Sequence, residues 1–146
     1  MPGETIGVVR LTLRLEGLCV LVAAVLAYSK FGFSWSTFAL FFLTPDVSFL
    51  GYLAGSRIGA ITYNAAHSYI GAIACLAAGL LLPASVLSCA GVIWCAHIGF
   101  DRALGYGLKY STGFVFTHLG IVGRFAKSAP NPAFERDTPK AARSSI

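Results

Sequence analysis

Two histidines and two aspartates interrupt hydrophobic runs in which ionisable groups are out of place: Asp46, His67, His97 and Asp101, with Glu16 and Asn64 in similar surroundings. A charge at the centre of a bilayer costs roughly 2.5–3.5 kcal/mol even on the lenient insertion scale, so such residues read as functional by default. Two imidazoles and two carboxylates form an ordinary ligand set for a divalent transition metal such as zinc. His97 and Asp101 are four residues apart, which puts both on one face of a helix, while Asp46 and His67 would come from neighbouring helices. A metal held there would supply a nucleophilic water near neutral pH. Arg102 beside it, with Asn64 and Lys109, would then bind a phosphate or carboxylate group of the substrate. In this reading Asp46, His67, His97 and Asp101 are both the metal ligands and the catalytic residues of a membrane hydrolase acting on a lipid-like substrate.

Other chemistries fit the same residues. His67 and His97 at similar depth on adjacent helices are also the pattern of two axial ligands to a haem. Asp46, His67 and His97 would serve equally as a proton or ion relay in a small transporter. They would also suit a purely structural helix bundle, bonding one another and specifying helix pairing. No His-Glu-x-x-His motif and no serine-centred nucleophile motif is present. Gly105-Tyr-Gly107 has neither the preceding strand nor the glycine spacing of a nucleotide loop. His118, beyond the apolar runs, reads as an exposed histidine without a role. Cys19, Cys75, Cys89 and Cys95 all lie inside apolar runs with no Cys-x-x-Cys pair, and read as small packing residues.

The elements that must position these groups are membrane helices. Of the 146 residues, 56% are hydrophobic and only 12% charged, about half the charged share of an ordinary soluble domain. Four runs approach the roughly 20 apolar residues that a span needs, at about 13–28, 35–53, 58–82 and 85–104. Pro45 is expected to kink the second. The expected fold is therefore all-α, an integral membrane bundle of four transmembrane helices occupying residues 1–125. A short cytoplasmic amphipathic segment (114–125) would close that domain, followed by a disordered cytoplasmic tail (126–146) rich in proline and charge.

Arg10, Arg14, Arg57, Arg102 and Lys109 fall on one side of these spans and Lys30 alone on the other, so both termini should be cytoplasmic. The net charge of +5 sits at span edges and in the tail. That suits an anionic leaflet of the lipid bilayer rather than nucleic acid. At a rise of about 1.5 Å per residue, Asp46, Asn64, His67, His97 and Asp101 lie roughly 7–15 Å inside the cytoplasmic boundary. One polar pocket open to the cytoplasm is the expectation. Gly51, Gly55 and Gly59, then Gly91, Cys95 and Gly99, recur every four residues, the spacing that lets helix backbones approach within one chain or in a homo-oligomer.

Several strings carry a resemblance: Pro45-Asp46, Gly51-Tyr-Leu-Ala-Gly55, Tyr63-Asn64-x-x-His67, His97-Ile-Gly-Phe-Asp-Arg102, Gly105-Tyr-Gly-Leu-Lys-Tyr110 and Thr117-His118-Leu-Gly120. Together they resemble the small bacterial membrane proteins grouped as domain-of-unknown-function family 4260, over about Leu11 to Gly120, most specifically in His97–Tyr110. The resemblance implies a helical membrane fold in the bacterial inner membrane and, the family having no assigned activity, implies no function.

Overall fold

The computed structural model describes residues 5–111 and 115–121, most of them helical. Three stretches are long and apolar enough to cross a membrane: Gly7–Phe31, Trp35–Ala54 and Ser56–Leu81. The first is one continuous helix, α1 (Gly7–Phe31). It stops at Gly32, whose φ of 71° is the left-handed geometry that glycine adopts at little cost. Leu11, Leu15, Leu18, Val22 and Leu26 stay exposed along its outer face. An apolar stripe this long is surface suited to lipid rather than water.

The second and third stretches are each interrupted. Trp35–Ala54 comprises α2 (Trp35–Phe41) and a 3-10 helix (Thr44–Ala54). Pro45 has no N–H to continue the α-helical ladder, and Asp46 N instead donates three residues back, to Leu43 O at 3.1 Å. Ser56–Leu81 comprises α3 (Ser56–Ala66) and α4 (Tyr69–Leu81), broken at His67–Ser68. The sequence reading takes 58–82 as one unbroken helix, and no proline or glycine marks this break. Side chains from elsewhere sustain it: the Trp94 indole donates to Ala66 O, and Arg102 Nη2 donates to His67 O at 3.3 Å. Backbone groups freed at membrane depth need such replacement partners.

The last helix, α5 (Ser85–Leu104), lies between α1 and α4. Val92, Ile93, Ala96, His97 and Ile98 at its middle are almost wholly buried. It is not among the three stretches apolar enough to face lipid, which its enclosure by protein makes unnecessary. A Cβ on Gly99 would sit 2.7 Å from Leu21 N of α1, and one on Gly91 would sit 2.6 Å from Leu76 N of α4. Both glycines therefore permit close backbone approach, as their spacing implies. Gly55 does something else: with φ 112° it makes the turn between the 3-10 helix and α3.

After Gly105 the chain folds back. Strands β1 (Phe116–Thr117) and β2 (Gly120–Ile121) form a small antiparallel hairpin. Thr5 N and Thr5 Oγ1 both donate to His118 O at 2.9 Å, tying the hairpin to the N-terminal end of α1. Where it is described, the expected amphipathic segment is this hairpin. Residues 114, 122–125 and the expected tail at 126–146 lie outside the described residues.

Candidate metal centre

The chain brings all four ligand candidates to one point. Asp46 follows Pro45 in the first turn of the 3-10 helix, His67 stands at the α3–α4 break, and His97 and Asp101 share one face of α5. His67 Nε2 lies 3.2 Å from His97 Nε2, 3.3 Å from Asp46 Oδ1 and 3.5 Å from Asp101 Oδ2. His97 Nε2 lies 3.5 Å from Asp46 Oδ1 and 3.9 Å from Asp101 Oδ2. One ligand atom from each residue lies within 4.8 Å of every other. Bonds of 2.0–2.2 Å to a tetrahedral zinc make an edge of about 3.3–3.6 Å between ligand atoms. Five of the six separations, at 3.2–3.9 Å, fall near that edge, while the Asp46–Asp101 pair, at up to 4.8 Å, would draw together around an ion.

The surroundings orient one imidazole fully. Tyr63 O lies 3.0 Å from His67 Nδ1. A carbonyl accepts only, so Nδ1 carries the proton and the Nε2 lone pair faces the cluster. The Tyr63 ring stacks on His67 with centroids 3.8 Å apart, and its hydroxyl donates to Asp101 Oδ2 at 3.3 Å. His97 Nδ1, by contrast, is buried without a hydrogen-bond partner among the described residues, and the Phe42 ring packs edge-on against that imidazole. Both histidine side chains are almost fully enclosed, at 3% and 1% exposed, whereas Asp46 is 34% exposed. The cluster therefore opens on the Asp46 side.

A haem with two axial histidines needs its whole macrocycle between the imidazoles. Nε2 atoms 3.2 Å apart, with a carboxylate beside both, leave it no room.

The three expected substrate ligands are placed differently. Asn64 clamps the backbone of residue 109: Lys109 N donates to Asn64 Oδ1 at 2.7 Å, and Asn64 Nδ2 donates to Lys109 O at 2.9 Å. Arg102 supports the α3–α4 break and also reaches His118, with Nη1 2.8 Å from Nε2. His118 is thus no idle surface residue. Its Nδ1 accepts the Leu108 amide at 2.9 Å, and burial together with the Arg102 charge holds it below the ordinary imidazole range. The buried Lys109 Nζ sits 4.7 Å above the Tyr63 ring centre. Of the residues that position the ligands, Tyr63 had a signal in sequence, four residues before His67; Trp94 and His118 had none.

Burial lowers Lys109 to about 8, against the opposing pull of Asp101. Between that value and the unfolded value of about 10.5, the unfolded chain holds a proton that the folded one has released, so stability rises with pH across this window. Below pH 8 both states are protonated and the full cost of the buried ammonium remains. Wild type should therefore gain roughly 1–3 kcal/mol on Lys109→Met between pH 8 and 10.5, measured by unfolding in detergent. An unchanged gap would show that the ammonium is well solvated.

The shared contacts of the cluster should also appear as coupling. Removing Asp46 or His97 takes a close polar contact from the other, at about 1–3 kcal/mol each. Asp46→Ala and His97→Ala should fail to add in a double-mutant stability cycle. Additive effects would mean that the two side chains act independently.

Beside the opening lies an apolar cavity of about 610 Å³, walled by Phe33, Phe41, Val86 and Ile93 and running past Pro45 and Ser48, which flank the turn of Asp46. Among known proteins, residues 10–122 match the family model described as Domain of unknown function (DUF4260). No curated protein and no solved structure matches the chain.

Proposed function

The chain belongs to the DUF4260 family, whose description assigns no activity, and from its geometry we propose an integral membrane protein that binds a divalent metal such as zinc and hydrolyses a lipid-like substrate. The observation that carries this reading is the convergence of one ligand atom each from Asp46, His67, His97 and Asp101 within 4.8 Å of one another. Such an ion supplies a Lewis acid and a water acidified to near neutrality. His67 and His97 present Nε2, and Asp101 is steadied by the Tyr63 hydroxyl. Asp46, the most exposed of the four, is the carboxylate free to loosen and take the proton of an attacking water. The 610 Å³ cavity beside it has room for an acyl chain. Lys109 remains a substrate contact in this proposal, while Asn64 and Arg102 hold the frame around it.

Metal-loaded protein incubated with a bacterial lipid extract should deplete an ester lipid and release a fatty acid or headgroup, detected by mass spectrometry. Chelation and His97→Ala should each abolish the turnover. Protein that keeps its metal and leaves every lipid unchanged would end the hydrolase reading. The two interrupted stretches meeting at the cluster favour a second reading, transport of the ion itself, since broken helices commonly line transporter sites. Zinc flux into proteoliposomes separates the two.

For the bilayer we propose four spans, α5 being the fourth, with both termini cytoplasmic in a bacterial inner membrane. The one-sided placement of arginine supports this. Reporter fusions after Lys30, Arg57, Pro83 and Lys109 should alternate sides, and a periplasmic C-terminus would overturn the arrangement. The bilayer is the proposed partner, with a homo-oligomer compatible and nucleic acid not expected.

A further inference from the structure

A second cavity, of about 400 Å³, lies between α1, the start of α4, α5 and the hairpin, and none of the four metal-ligand candidates lines it. Glu16, Tyr69, Arg102 and His118 line it, with Leu13 and Val20 as apolar wall. It holds opposite charges that do not pair with each other. Among the described residues Glu16 has no hydrogen bond or ion pair, although it sits on a helix apolar enough to cross a membrane. Arg102 gives an N–H to His67 O and lies 2.8 Å from His118 Nε2, and a guanidinium has five N–H groups. The Tyr69 hydroxyl is buried with no partner. An exposed carboxylate on a helix apolar enough to face lipid is costly unless something answers it, and none of the described residues does.

We propose that this cavity binds the headgroup of a zwitterionic phospholipid bearing a primary amine, a phosphoethanolamine lipid. The Glu16 carboxylate takes the ammonium, Arg102 and the Tyr69 hydroxyl take the phosphate, and the acyl chains follow the Leu13–Val20 side of α1. Paired charges explain why neither an anion nor a cation alone would satisfy the site, since each would leave one wall unanswered. The exposed apolar outer face of α1 commits the ligand to a lipid rather than a free soluble headgroup.

The test is lipid retention on the purified full chain, by native mass spectrometry from equimolar mixed micelles of phosphatidylethanolamine, phosphatidylcholine and phosphatidylglycerol. Phosphatidylethanolamine should be retained about tenfold over both competitors. The quaternary ammonium of phosphatidylcholine has no N–H to give Glu16, and phosphatidylglycerol has no cation. Glu16→Gln should bring the preference over phosphatidylglycerol close to parity while metal content stays unchanged. Equal retention of the three lipids by wild type, or a preference that survives Glu16→Gln, would overturn the proposal. So would displacement of the lipid by an equal concentration of soluble glycerophosphoethanolamine.

Discussion

Replacing His67 or His97 with alanine should lower metal affinity by more than about 100-fold, the upper range for losing a mere supporting contact. The two imidazole nitrogens lie 3.2 Å apart and each lies within 3.5 Å of Asp46 Oδ1, so either loss removes one corner of the tetrahedron and three of its edges. The carboxylates left behind cannot close around the ion, because Asp46 and Asp101 belong to separate elements, the 3-10 helix and α5, each held by its own backbone contacts. Tyr63→Phe should cost less, roughly tenfold, since it only frees Asp101 Oδ2 from one hydrogen bond. His118→Ala should keep the metal, because that ring faces Arg102 and Leu108 instead. Affinity should also fall toward acid pH, since a protonated imidazole cannot ligate. Isothermal titration with zinc at several pH values, on each variant in detergent, gives all of these numbers. Full affinity in His97→Ala would remove His97 from the site.

Arg102→Met should be nearly as damaging, although Arg102 is no ligand. Its guanidinium answers the His67 carbonyl at the α3–α4 break and anchors His118 of the hairpin. Methionine fills similar volume and does neither. A hydrogen bond to a charged group contributes about 1.5–3 kcal/mol, and the abandoned carbonyl has no water at membrane depth to replace the donor. The expected result is a loss of that size in unfolding experiments, with a 10–100-fold weaker metal site as His67 loses its seat. Arg102→Lys should rescue little, because a single ammonium cannot reproduce the planar fork that reaches both His67 O and the His118 ring. Unchanged stability in Arg102→Met would show that the break stands without it.

The site was legible where helical spacing and depth determined it. His97 and Asp101 are one turn apart, and Asp46 and His67 fall at the same depth once Arg57 is taken as a boundary. Tyr63, four residues from His67, obeys the same rule and was there to be read. The break at His67 was not legible, because no residue from Tyr63 to Tyr69 is a helix breaker. It depends on Trp94 and Arg102, 28 and 35 residues from the carbonyls they satisfy. The role of His118 was hidden for the same reason: its partners, Thr5 at one end of the chain and Arg102 on α5, meet it only after folding. The α-helical period likewise gave no sign that Thr44–Ala54 winds as a 3-10 helix, since Pro45 suggests a kink but not the tighter winding after it.

The central claim is that one ion sits among these four side chains. Elemental analysis with X-ray absorption at the metal edge, on full-length protein purified without chelator, tests it most directly. The expected result is about one ion per chain, in four-coordinate geometry, with nitrogen and oxygen neighbours at about 2.0–2.2 Å and two imidazole rings in the outer-shell scattering. Well-folded protein that carries no metal, and binds none of zinc, iron or manganese when titrated, would contradict it.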